Sequence, residues 1–67
     1  MDIKVLAERI ALELNNKCEY QLTINEYHNI RNAEYFALVN ENKVKDTDDN
    51  WNDFDTYLAR NLNINWG

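Results

Sequence analysis

The chain has no proline and no serine, a single glycine as its last residue, one cysteine and one histidine. Each scarcity removes a class of chemistry. Without serine there is no serine nucleophile. Without an internal glycine there is no loop whose bare backbone could cradle a phosphate. Cys18 alone cannot form an intrachain disulfide, and with His28 as the only imidazole no structural zinc site of four N/S ligands can be assembled. No apolar run approaches the roughly 20 residues of a membrane span. An unpaired thiol and the lack of a secretory leader suit a reducing compartment, so a cytoplasmic location is expected, the host cytoplasm if the gene is carried by a phage.

What the chain does contain is skewed. Of its 67 residues, 12 are Asn. Asn tolerates positive φ better than other non-glycine residues, because its short amide can bond its own backbone. Asn15, Asn16, Asn29, Asn32, Asn40 and Asn42 fall near changes of pattern and are read as the turn residues. Abundant Asn and Ile with scarce Gly and Pro also accompany AT-rich coding, as in low-GC bacteria and their phages. A chain this short has one core and one domain, residues 1–67, and buries only about 60% of its unfolded surface.

The periodicity predicts an α+β fold. Ile3, Leu6, Ala7, Ile10 and Leu14 follow helical spacing, giving a first helix over residues 3–15 with Asp2 as its cap. Val5 and Leu12 lie opposite that stripe and offer a second contact face. Tyr20, Leu22 and Ile24 alternate with polar residues as a half-buried strand. Residues 29–33 read as a turn and residues 34–41 as a second strand with apolar groups on both faces. A third strand begins at Val44. Trp51, Phe54, Leu58 and Leu62 mark a second helix over residues 50–62, followed by a short extended tail. The expected order is α-β-β-(β)-α, two helices packed on a short antiparallel sheet.

Charge is concentrated. The net charge is −5, from 12 acidic and 7 basic residues, and five Asp lie within residues 46–55. Setting Asp46, Asp48, Asp49, Asp53 and Asp55 aside leaves the rest of the chain neutral. Asp46, Asp48 and Asn50 have the spacing that opens an EF-hand loop, but Trp51 stands where that loop needs Gly and Tyr57 where it needs a bidentate Glu. No calcium, other metal or cofactor is therefore expected. Helix capping and the helix dipole account for Asp48 or Asp49. They do not account for five carboxylates. Asp49 and Asp53 are one turn apart, about 6 Å in helical rise, on the face opposite Trp51, Phe54 and Leu58.

In size, acidity, Asn-rich composition and lack of catalytic residues, the chain resembles small phage and mobile-element inhibitors of nucleases, DNA-mimicking anti-CRISPR proteins among them. The likeness is one of overall character and of the stretch Asp46-Thr47-Asp48-Asp49-Asn50…Asp53…Asp55; no motif aligns. It implies a non-enzymatic protein that engages a basic, nucleic-acid-handling partner such as a nuclease through those five Asp. Direct nucleic-acid binding is disfavoured, because the seven bases are dispersed and the net charge repels phosphate. The alternative is an interaction module, a homodimer included, that works through apolar contacts at Val5 and Leu12 or on the second face of residues 35–39. Pairing of Cys18 with His28 as a nucleophile and base has no support in their spacing.

Overall fold

The computed structural model describes residues 2–67, and among them there is no sheet. Three helices make up the fold: α1 (Ile3–Lys17), α2 (Ile24–Asn40) and α3 (Asp48–Asn61). The expected α+β class is therefore corrected to all-α. Among the described residues, all that remains of β structure is one isolated parallel bridge between Leu22 and Ile64. It is held by Leu22 N–H donating to the Asn63 carbonyl and Asn65 N–H donating to the Leu22 carbonyl, both at 2.9 Å.

α1 and α3 form where the spacing places helices. Asp2 caps α1 by accepting from the Lys4 amide at 3.2 Å. The helix runs past the Asn15-Asn16 stop expected for it and ends at Cys18, in extended backbone. α3 begins two residues earlier than expected, and its cap is Thr47 rather than an Asp. The Thr47 hydroxyl accepts from the Asn50 amide at 3.1 Å, leaving Asp48 and Asp49 in the first turn, beside the positive end of the helix dipole.

α2 occupies the stretch read as turn and second strand, while most of the first expected strand, Tyr20 to Thr23, stays outside it as the connection from α1. Its start is a full capping box: the Thr23 hydroxyl accepts from the Glu26 amide, and the Glu26 carboxylate accepts from the Thr23 amide. The residues read as a turn, 29–33, are mid-helix. The apolar groups on both sides of residues 34–41 are the buried Tyr35 and Leu38 and the outward-facing Phe36 of one helix. α2 ends in a Schellman turn, Lys43 N–H to the Leu38 carbonyl and Asn42 N–H to the Val39 carbonyl, both 3.0 Å, with Asn42 at φ 60°. Val44 is buried, but in the connection to α3 and not in a strand.

α3 lies at the centre. The start of α1 meets Asn50 and Asp53, and the Asn15 amide donates to the Asn61 carbonyl at 2.7 Å, so these two helices run in the same direction. Ala7 and Ala11 are fully buried, which lets the helices approach closely. α2 runs antiparallel to α3, with Tyr27 against Asp55 and Tyr35 against Asp46. The core is Leu6, Ala7 and Ala11 of α1, Tyr27, Tyr35 and Leu38 of α2, and Phe54 and Leu58 of α3, closed by Leu22, Val44, Leu62 and Ile64 from the connections. Among the described residues no helix is long and apolar enough to cross a membrane.

Candidate functional site: the acidic face of α3

The five Asp divide into two groups. Asp46 and Asp55 are used inside the fold. Asp46 accepts from the buried Tyr35 hydroxyl at 3.0 Å. Asp55 accepts from the buried Tyr27 hydroxyl, which also reaches the Asp55 backbone carbonyl at 3.0 Å. Arg31 completes that cluster, with its guanidinium 3.2 Å from the Asp55 carboxylate. It lies 4.8 Å from the Trp51 ring centroid and 5.7 Å from that of Tyr27. Tyr27 and Tyr35 are two turns apart on α2, so their hydroxyls fasten it to the two ends of the acidic segment.

The tyrosines record this environment. Burial pushes the Tyr27 hydroxyl well above the usual tyrosine range, and the hydrogen bond and charge of Asp55 add to it, against a smaller opposite effect of Arg31. Tyr35 is raised in the same sense, first by burial, then by its hydrogen bond to Asp46 and that residue's charge, with the Asp48 charge contributing.

Asp48, Asp49 and Asp53 are the second group. All three are exposed on the outward side of α3. Among the described residues none of them accepts a side-chain hydrogen bond or forms an ion pair; the two ion pairs found are Arg31–Asp55 and Lys43–Glu41. α3 holds the three carboxylates in fixed register, and Thr47, Tyr35 and Tyr27 hold α3. The groove beside Asp53 is also lined by Asp2, Lys43 and Lys45, which bounds the acidic field on that side.

The other candidate chemistry does not assemble. The Asn50 side-chain Nδ2 donates to the Lys45 carbonyl at 2.7 Å and Asp46 is taken by Tyr35, so the residues with EF-hand spacing serve the loop and its helix. Among the described residues no three of His, Cys, Asp and Glu are grouped to hold a metal ion. Cys18 is half-buried at the end of α1 and lines a cavity with Leu14, Tyr20, Leu22 and Leu62, while His28 stands exposed on α2. Val5 and Leu12 are exposed on the outer face of α1, 39% and 62% accessible.

One element of this surface was not foreseen. Phe36, assigned to a strand face, is 50% exposed on α2 and lies against Trp51, with ring centroids 6.2 Å apart and planes inclined by 31°. Its sequence signal was the Thr23-x-x-Glu26 box, which fixes α2 and hence the register of Phe36. No family model matches this chain, and no curated protein or solved structure is significantly similar to it.

Proposed function

We propose that this chain is a small non-enzymatic binding protein, an inhibitor of the phage or mobile-element type, that engages a basic nucleic-acid-handling protein through the exposed carboxylates of α3. The observation that carries the reading is the division of the acidic segment. Asp46 and Asp55 hold α2 to α3, and they fix Asp48, Asp49 and Asp53 as an exposed acidic row on a rigid helix, none of it in an ion pair among the described residues. Phosphates along a nucleic-acid strand recur at a spacing similar to one helical turn, so such a row can occupy a groove built for them. A patch of one sign also steers association with a basic partner and makes it salt-sensitive. A cytoplasmic site of action goes with this reading.

The test is triple charge reversal, Asp48→Lys, Asp49→Lys and Asp53→Lys, none of which touches the Tyr27–Asp55 or Tyr35–Asp46 links. The wild-type chain should capture basic nucleic-acid-handling proteins from bacterial lysate at low salt and release them at high salt. The reversed chain, with an unchanged helical circular-dichroism spectrum, should capture none. Capture that survives reversal, or that ignores salt, overturns the proposal.

A further inference from the structure

Phe36 is a large aromatic side chain left half-exposed on α2, against Trp51 of α3. Its ring and that of Trp51 are inclined by only 31° and together make one shallow ledge. The buried Tyr35 ring sits edge-on to both, at 5.5 Å from Phe36 and 4.8 Å from Trp51, and fixes the ledge in place. Asp48 stands one helical turn before Trp51, exposed and without an ion-pair partner among the described residues. Within the fold, the same indole already carries a guanidinium: Arg31 lies 4.8 Å from its centroid and pairs with Asp55, one turn after Trp51. Aromatic ring plus adjacent carboxylate is thus a combination that this protein satisfies with arginine on one side of Trp51 and leaves unsatisfied on the other.

We infer that the Phe36–Trp51 ledge takes an arginine side chain of a basic partner, stacked on Phe36 with its N–H groups toward Asp48, the one exposed carboxylate of α3 on that side of the helix. This rests on the acidic-surface reading and names the side chain that it selects. Charge complementarity decides the occupant, because Asp48, one turn before Trp51, has no cation partner among the described residues, whereas Asp55, one turn after it, is paired with Arg31. A guanidinium fits both features at once: it is planar, weakly hydrated and forked, so it stacks on a ring and bonds a carboxylate together. A lysine ammonium is compact and strongly hydrated, and serves the charge alone. Aromatic anchors with a charged rim are also the usual composition of an interface hot spot.

The experiment compares fluorescently labelled oligo-arginine and oligo-lysine peptides of equal length, titrated with the intact chain and followed by anisotropy. The wild-type chain binds the arginine peptide more tightly. Phe36→Ala weakens arginine-peptide binding by about three- to fivefold and leaves lysine-peptide binding unchanged. Phe36→Leu, which keeps apolar area and helix propensity but removes the π face, also loses the preference. Asp48→Asn weakens both peptides. If the arginine-over-lysine ratio is the same in wild type and in both Phe36 variants, the ledge inference is wrong, although the acidic face still binds. If wild type binds neither peptide, the acidic-surface reading fails and the inference falls with it.

Discussion

The buried hydroxyl of Tyr27 donates to both the carboxylate and the backbone carbonyl of Asp55, and so joins the middle of α3 to the first half of α2. Because the carboxylate is also paired with Arg31, the three side chains form one unit between the helices. Tyr27→Phe leaves Asp55 with Arg31 and should cost about 1.5 kcal/mol, the ordinary value for a hydrogen bond to a charged group. In a chain of this size that lowers the thermal midpoint by roughly 6–12 °C. Asp55→Ala should cost a similar amount for a different reason: the hydroxyl keeps the carbonyl, but Arg31 is left without its anion. The double variant should then be less destabilised than the two single effects added together. Simple additivity in thermal or urea denaturation would show that the pair is not coupled.

The same tyrosines make a prediction about alkali. Both Tyr27 and Tyr35 are raised above the ordinary tyrosine value of about 10 by burial and by their Asp partners. In the pH range just above that value the unfolded chain releases these protons while the folded chain keeps them. The folded state is then the more protonated, and stability must fall as pH rises. The contribution is complete below about pH 10 and is lost progressively above it. Urea midpoints measured between about pH 9 and pH 12 should decline, and tyrosinate absorbance from two of the four tyrosines should appear only as the chain unfolds. The Tyr27→Phe, Tyr35→Phe double variant should decline less steeply. An equal slope in that variant would assign the alkaline loss to other groups.

How much of this was legible in the sequence follows from what each helix buries. α1 and α3 announce themselves, because Ile3, Leu6, Ala7 and Ile10, and then Trp51, Phe54 and Leu58, repeat at helical spacing. α2 does not. Two of its inward positions carry Arg31 and Glu34, which are half-buried, so the stripe running from Tyr27 to Leu38 is broken. Arg31 is admissible there only because Asp55 and the Trp51 ring, distant in sequence, receive it. Asn29 and Asn32, read as turn residues, lie inside the helix. The alternation of Tyr20, Leu22 and Ile24 misled in the same way, since only Leu22 reaches the core. The local signal that α2 does carry is its capping box, Thr23 with Glu26, which the sequence reading passed over in favour of the apolar alternation. For the acidic segment, the position of Asp55 beside the core stripe was readable from spacing. That Asp46 is taken by Tyr35 was not, because it depends on how α2 packs.

Asn42 supports a last prediction, and here the sequence and the structure agree. Of the Asn residues read as turn formers, Asn42 is the one that adopts positive φ, at 60°. It sits where a Schellman turn needs a left-handed residue, so that Asn42 N–H and Lys43 N–H can reach the Val39 and Leu38 carbonyls. A side chain branched at Cβ is strained in that conformation, whereas glycine adopts it freely. Asn42→Val should therefore cost about 1–2 kcal/mol, and Asn42→Gly should be neutral to slightly stabilising. The effect should also reach the binding face. The connection that starts at Asn42 carries Val44 into the core and delivers Asp46 to Tyr35 and Thr47 to the start of α3. Loosening the turn should thus speed amide exchange at Asn50, whose N–H is held by the Thr47 hydroxyl, before it changes the exchange of α1. If Asn42→Val destabilises the chain no more than Asn42→Gly does, the turn is not held in the left-handed conformation. If exchange at Asn50 and in α1 rises together, the turn contributes only to global stability and does not position α3 locally.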